Sequence, residues 1–352
     1  MRVLVATDAW HPQVNGVVRT LTSLAESARA LGVTLEFLTP EGFATVGLPT
    51  YPHIRLALPS RRAITERITS VAPDAIHIAT EGPIGHMVRG FCIRHSLSFT
   101  TSYTTCFPEY IAERVPLPLA VSYAFLRRFH SAATVTMVST PSLMDQLSAR
   151  GFKHLGMWGR GVDTDKFRPD LAIDLDLPRP IFLSMGRVAV EKNLEAFLSL
   201  DLPGSKVVIG EGPQEAELKA RYPEVKFLGL LKGRELTAHL AAADVFVFPS
   251  KTDTFGVVQL EALACGVPVA AYPVMGPRDV IGGTKVGVMD EDLRAACLAA
   301  LTIPRAACRA FALERSWEAS ARQFIGHVNK AAIATVQRER AAFALQATAG
   351  GT

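Results

Sequence analysis

The chain has 352 residues, 49% of them hydrophobic and 20% charged, with a formal net charge of +4. That length is more than one ordinary core fills and predicts two domains of roughly 150–200 residues each. The apolar share excludes a disordered chain, and a charge this mild, without a dense basic stripe, excludes a typical nucleic-acid binder. The positive excess lies in the N-terminal half, where residues 1–170 carry 17 Lys/Arg against 13 Asp/Glu. No apolar run approaches the ~18 residues of a transmembrane helix. The start, MRVLVATDAW, reads as a strand and not as a signal peptide. Five scattered cysteines (Cys92, Cys106, Cys265, Cys297, Cys308) show neither metal nor disulfide spacing, which suits a reducing cytoplasm.

Strands and helices alternate from the first residue. RVLVATD predicts a strand. VVRTLTSLAESARALG predicts a helix with Val18, Leu21, Leu24, Ala25, Ala28 and Leu31 on one stripe and Gly32 as its stop. VTLEFLTP, IRLAL, AIHIAT, SFTTSY and TVTMVST follow as strands. A Pro- and Asp-rich break at Arg168–Pro180 reads as an inter-domain linker. The alternation then restarts with IFLSMG, KVVIG, KFLGLL, VFVFPS and VPVAAY. From Ser316 onward the chain reads as helix, with Trp317, Ala321, Phe324 and Val328 at helical spacing. Two successive runs of βα units predict an α/β protein with two parallel-sheet domains. In such sheets ligands bind beyond the carboxyl ends of the strands.

Three strand-end loops in the second half carry candidate chemistry. SMGRVAVEKNLEAF places Arg187 and Lys192 just after a strand, where two cations can neutralise a diphosphate; taken alone they are also ordinary surface cations. KVVIGEGPQEAEL offers Gly210-Glu211-Gly212, the first half of a dinucleotide fingerprint, but Glu215 stands where the third glycine belongs. In VFVFPSKTDTFGVVQLEALACGVP, Asp253 leaves a strand and Glu261 sits about a turn and a half inside the next helix. Phe255, Gly256 and Val257 would offer amides to an anion at that helix start. Gly256 lets the backbone approach closely, and Glu261 is suited to accept hydrogen bonds from two ribose hydroxyls. Together the three loops predict a nucleoside diphosphate ligand. Asp163-Thr164-Asp165 forms a D-x-D, but it lies far in sequence from these loops and is set aside as a metal site.

With these motifs in place, the chain resembles the retaining glycosyltransferases of family 4, which have the GT-B fold. GRVAVEKNL, GEGPQE, FLGLL, VFVFPSKTDTFGVVQLEALACGVPVAA and GPRDVI follow that family's order in the second half. DAWHPQVNGVVRTL, PDAIHIATEGPIG, TSYTTCFPEY and WGRGVDTDKFRP do so in the first. The resemblance implies two Rossmann-like domains facing each other across a cleft. Residues 1–168 would form the acceptor domain, 169–315 the sugar-nucleotide domain, and 316–352 a helix packing back toward the first.

Carried over by position, the resemblance implies that Arg187 and Lys192 hold the diphosphate and, with Asp253, form the catalytic set. Gly16 lies beside the sugar diphosphate and acceptor; Phe255, Gly256 and Val257 supply amides; Glu261 takes the ribose hydroxyls; the base packs near Leu230 and Leu231. Asp253 stands where the family usually has a glutamate on the donor sugar, and Thr104 where relatives commonly carry a histidine. His11 and His77 read as structural.

The wording is similar to that of bacterial enzymes that glycosylate diacylglycerol. It implies transfer of a hexose or hexuronic acid, from a UDP-sugar by preference, to a lipid such as diacylglycerol, by front-face attack with retention and without a metal or other cofactor. The rival expectations are a GDP-mannose-dependent enzyme acting on a soluble or glycan acceptor, and a non-catalytic sugar-nucleotide-binding protein. A nicotinamide dehydrogenase would need the missing glycine. Expected partners are the sugar nucleotide, the lipid or glycan acceptor and no nucleic acid. PSRRAITERI and PLPLAVSYAFLRRF read first as amphipathic surface helices and second as a patch that rests on an anionic membrane; the expected location is the cytoplasm, or the inner face of the cytoplasmic membrane.

Overall fold

The computed structural model describes residues 1–13, 15–48, 51–105, 107–112, 118–253 and 255–349. Cys106, and Pro116 and Leu117 of the apolar-arginine segment, lie outside the described residues. The chain divides into two compact units, Met1–Gly159 with Ser320–Thr352, and Arg160–Ala319.

The first unit holds β1 (Arg2–Ala6), β2 (Thr34–Leu38), an antiparallel pair β3 (Thr45–Leu48) and β4 (Tyr51–Ala57), then β5 (Ala75–Ile78), β6 (Thr100–Tyr103), β7 (Val135–Val138) and β8 (Leu155–Met157). Six of these form a parallel sheet in the order β2-β1-β5-β6-β7-β8. The order reverses between β1 and β5, which makes the loops after those strands the place to look for ligands. Val3 and Val5 enter one core cluster while Leu4 and Ala6 enter another. Both faces of the sheet are therefore covered, which is why its strands read as continuous apolar runs. The last helix, Trp317–Ala349, adds Ala321, Phe324 and Val328 to the cluster of Val3, Val5 and Trp158. Trp158 Nε1 donates to Ser320 Oγ at 3.1 Å and the Gly159 amide to Gln323 Oε1 at 2.8 Å.

The second unit has β9 (Ile181–Met185), β10 (Ser205–Ile209), β11 (Lys226–Phe227), β12 (Val245–Phe248), β13 (Val269–Ala271) and β14 (Gly287–Met289). Their order, β11-β10-β9-β12-β13-β14, is the dinucleotide-binding order with its switch point between β9 and β12. Here too alternate residues feed opposite cores, Leu183 and Phe246 on one side and Phe182 and Val247 on the other.

The division falls at Gly159, ahead of the Pro- and Asp-rich stretch that composition marks as a linker. Val162 and Phe167 already belong to the second core, and Leu175 and Leu177 pack against it. Arg309 fastens the segment by donating to the carbonyls of Phe167 (2.7 Å) and Thr164 (2.9 Å). Asp163 Oδ1 accepts from the amides of Asp165 and Lys166, so the D-x-D carboxylate closes its own turn. The four described cysteines are buried. Burial pushes the thiols of Cys92, Cys265 and Cys297 up to about 12 and that of Cys308 up to about 11, so they serve packing and not redox chemistry. Among the described residues no single helix is long and apolar enough to cross a membrane.

Candidate active site

At the switch point of the second unit, the loops leaving β9 and β12 enclose a small recess. It is lined by Gly186, Arg187, Lys192, Phe248, Pro249 and Ser250, among others. The two loops are bonded to each other. Asn193 adopts a left-handed conformation (φ 51°), which asparagine tolerates better than most residues, and its Nδ2 donates to the Pro249 carbonyl at 3.0 Å. Ser250 Oγ and Thr252 Oγ1 donate to the Glu191 carbonyl at 3.2 and 3.4 Å. This bracing delivers Lys192 to Asp253: Nζ lies 2.6 Å from Oδ1 and 2.8 Å from Oδ2. The side chains are 27% and 17% exposed, so solvent screens their attraction only in part.

A roomier recess elsewhere in the unit is lined by Arg179, Asp244 and Arg305. It lies where β9 and β12 begin. That is the wrong end of a parallel sheet for ligand chemistry, and Arg305 already spends its guanidinium on the carbonyls of Ala241, Ala243 and Cys265.

The GEGP loop turns out to be a packing device. A Cβ on Gly210 (φ +133°) would lie 1.9 Å from the Gly186 carbonyl oxygen, and one on Gly212 would lie 2.2 Å from that of Val188. The two glycines let the β10 loop press against the loop that carries Arg187. Glu211 Oε1 accepts from the Leu230 amide at 3.3 Å, drawing in the loop after β11. Leu230 is 39% exposed and Leu231 packs against the core.

The helix Val257–Ala264 begins behind Gly256, which is left-handed (φ 77°) and has no side chain to cap it, and no other described side chain does so. A Cβ on Gly256 would sit 2.6 Å from Phe248 Cζ. Gln259 Nε2 donates to the Phe255 carbonyl at 2.8 Å and holds this entry turn. Glu261, read from sequence as a ribose ligand, is only 4% exposed and is not a solvated surface acid.

The equivalent helix starts of the first unit are filled by the protein itself. Asn15 Oδ1 accepts from the amides of Val17 and Val18, both at 3.0 Å, capping the helix Gly16–Ala30. Asp8, two residues beyond β1, accepts from Ile84 N (2.9 Å), Gly85 N (3.3 Å) and Thr80 Oγ1 (2.9 Å) at the start of the helix Pro83–Arg94. Gly82 makes room for it: a Cβ there would lie 2.3 Å from Asp8 Cγ. A carboxylate thus occupies the anion position in the first unit, whereas in the second unit no described side chain caps the helix start on the sheet edge that carries two cations.

Burial pushes the Asp8 carboxyl above the ordinary carboxylate range, against the lowering effect of its hydrogen bonds. The folded protein therefore holds this proton more tightly than the unfolded chain, whose value is near 3.8. The Asp8 contribution to stability is full below that value and is lost as pH rises through the folded one. In urea titrations at stepped pH, the stability of the wild type relative to Asp8→Asn is expected to fall as pH rises from about 4 toward neutrality. A difference independent of pH would refute this assignment.

Comparison with known proteins fits this geometry. A model of Glycosyltransferase Family 4 matches residues 14–166, and one of the group 1 glycosyl transferases matches residues 179–303. The GDP-mannose-dependent alpha-mannosyltransferase of Mycolicibacterium smegmatis is 30% identical over 93% of this chain and 96% of its own. The chain belongs to glycosyltransferase family 4. The alpha-monoglucosyldiacylglycerol synthase of Streptococcus pneumoniae is 25% identical over 86% of this chain and 78% of that one. Among solved structures, the sucrose-phosphate synthase of Thermosynechococcus elongatus superposes with a TM-score of 0.68 at 19% identity, covering 98% of this chain and 99% of that one. The fold is GT-B, and the protein is a glycosyltransferase.

In this family 4 glycosyltransferase, the second unit brings Arg187, Lys192, Leu230, Leu231, Asp253, Phe255, Gly256, Val257 and Glu261 to the carboxyl edge of one sheet. Gly16 and Thr104 belong to the first unit; Gly16 starts a helix and is exposed, and half-buried Thr104 follows β6. His77 is fully buried, with Nδ1 2.9 Å from Thr100 Oγ1 and its ring against Trp158 and Phe324, which is a structural role. His11 is exposed and edges onto Trp10.

Sequence reasoning missed Asp8 and Asn193, although an Asp two residues past the first strand and an Asn at a helix start were available signals. It also missed the buried pair of His130 Nε2 and Glu81 Oε1 at 3.1 Å, whose partner Thr101 Oγ1 lies 2.8 Å from His130 Nδ1. Nothing local links those three positions.

Proposed function

We propose that this glycosyltransferase transfers a hexose, with retention, from a nucleoside diphosphate sugar to a lipid acceptor, and that the second unit holds the donor. The observation that carries this reading is the convergence of Arg187, Lys192 and an uncapped helix start on one switch point, set against the plugged helix starts of the first unit. Two cations and the amides of a helix start suit a diphosphate leaving group. Glu261 would accept from the ribose hydroxyls, and Leu230 with Leu231 would border the base. In the transfer, the bond from the sugar's anomeric carbon to the diphosphate oxygen breaks. The acceptor oxygen bonds to that carbon from the same face, and its proton passes to the departing phosphate oxygen. The protein's share is positioning and electrostatic stabilisation.

GDP-mannose is the donor to test first, ahead of the UDP-sugars that motif wording favours, because the mannosyltransferase relative spans nearly the whole chain. A lipid acceptor is supported by the resemblance to the diacylglycerol enzyme and by one helix of the first unit. Leu119–His130 turns Tyr123, Leu126 and Phe129 inward and leaves Leu119, Val121 and Phe125 at 39%, 53% and 55% exposure, beside exposed Arg127 and Arg128. Apolar side chains flanked by arginines suit an anionic bilayer surface. The helix Arg61–Val71 does not add to this: it buries Ile64 and Ile68, and its Arg62 pairs with Glu66 at 2.7 Å, as an ordinary surface helix does.

The test is nucleotide release from GDP-mannose, UDP-glucose and UDP-glucuronic acid, each with anionic vesicles containing diacylglycerol. Release from GDP-mannose that depends on the vesicles is expected. Release from a UDP-sugar alone moves the donor assignment, absence of cosedimentation with the vesicles removes the lipid surface, and no release with any donor defeats the reading.

A further inference from the structure

We propose that Asp253 is a built-in competitor for the donor's diphosphate: a carboxylate that holds Lys192 and must be displaced when phosphate oxygens take the lysine. The inference rests on the second unit's recess being the donor site. Lys192 Nζ donates to both oxygens of Asp253, at 2.6 and 2.8 Å, so two of the ammonium's three protons are committed to one carboxylate. A diphosphate claiming that ammonium cannot share it on equal terms, because the carboxylate is a like charge at hydrogen-bond distance from the same nitrogen.

The surroundings make the exchange a side-chain movement and not a loop movement. The backbone of Asp253 packs closely against the helix Met275–Ile281, where a Cβ on Gly276 would lie only 2.7 Å from the Asp253 carbonyl oxygen and 3.1 Å from that of Phe255. Lys192 is fixed from the other side by the bonds of Ser250 and Thr252 to the Glu191 carbonyl. With both backbones held, the carboxylate can leave the ammonium by rotating about its own side-chain bonds. Both side chains are partly exposed, so the released carboxylate keeps water or a sugar hydroxyl as a partner.

The arrangement acts in both directions of the donor's visit. A diphosphate, with more charge and more oxygens than a carboxylate, wins the ammonium. Once the sugar has been transferred, Asp253 is on hand to reclaim Lys192 and favour departure of the nucleoside diphosphate. Asp253 therefore weakens product binding, a role separate from any contact it makes with the sugar.

Calorimetric titration with GDP and with UDP tests this, using wild type, Asp253→Asn, Asp253→Ala, Lys192→Ala and Glu195→Gln. Glu195 is a half-exposed carboxylate in the same segment as Lys192 that pairs with Arg221. Neutralising Asp253 is expected to tighten binding of the better nucleotide roughly three- to tenfold, from release of a partly exposed ion pair and removal of a neighbouring like charge. Glu195→Gln should change it by less than about twofold, and Lys192→Ala should weaken it. Unchanged or weaker binding in both Asp253 variants, with Lys192→Ala still damaging, overturns the competition and leaves the donor site standing. Equal gains from Asp253→Asn and Glu195→Gln overturn it as a general field effect. Absence of GDP and UDP binding in every protein, wild type included, removes the donor site itself.

Discussion

Lys192→Ala is expected to lower kcat/KM for the cognate donor by about two to three orders of magnitude, the usual cost of removing one preorganised charge from a developing oxyanion. The lysine is placed by bonds that do not involve its own side chain: Asn193 to the Pro249 carbonyl, and Ser250 and Thr252 to the Glu191 carbonyl. Truncation should therefore leave the two loops together while removing the charge between them. It also strips Asp253 of its counter-ion, so a carboxylate then faces the incoming diphosphate and the loss should appear in KM as well as kcat. Lys192→Arg keeps the charge but brings a planar fork where a compact ammonium sits, and should recover only part of the rate. Folding stability should move by no more than about 1 kcal/mol, since the pair is partly exposed. Steady-state kinetics beside a thermal melt separate these effects; a rate loss below tenfold would remove Lys192 from the reaction.

Gly210→Ala should act on the fold. Its φ of +133° is one that side chains rarely adopt, and the new methyl group would sit 1.9 Å from the Gly186 carbonyl oxygen, a backbone atom that cannot turn aside. Strain of ~1–3 kcal/mol plus overpacking of ~1–3 kcal/mol predicts a loss of about 2–6 kcal/mol, a large part of a domain's usual stability. The same substitution at Gly326 is the natural control. That glycine lies within the helix Trp317–Ala349 with nothing within 4 Å of its Cβ position, so alanine there should stabilise by ~0.5–1 kcal/mol. Urea unfolding of the two variants should give opposite signs. Equal and small effects would mean that the β9 and β10 loops can separate freely, and the account of the GEGP turn would fail.

These two residues mark where the sequence was legible. Strands buried on both faces need unbroken apolar runs, so β1, β9 and β12 are visible in RVLVA, IFLSM and VFVF. Three-residue edge strands such as β8 (LGM) and β14 (GVM) are not, because one neighbour and half-burial ask little of their side chains. The donor-unit residues were visible as types at strand ends: two cations, a glycine before a helix, a carboxylate within it.

The sequence by itself determined the class of fold, the family and the set of residues on one sheet edge, because apolar period and strand-end chemistry are local properties. Which of those residues touch is not local. Lys192 and Asp253 are 61 positions apart and meet only because β9 and β12 are neighbours at the switch point. Asp8 reaches Ile84 across 76 positions because β1 and β5 are neighbours in the other sheet. Strand order is set by how whole helices and strands pack, so the tertiary structure alone decided that one unit fills its own anion position and the other leaves it open.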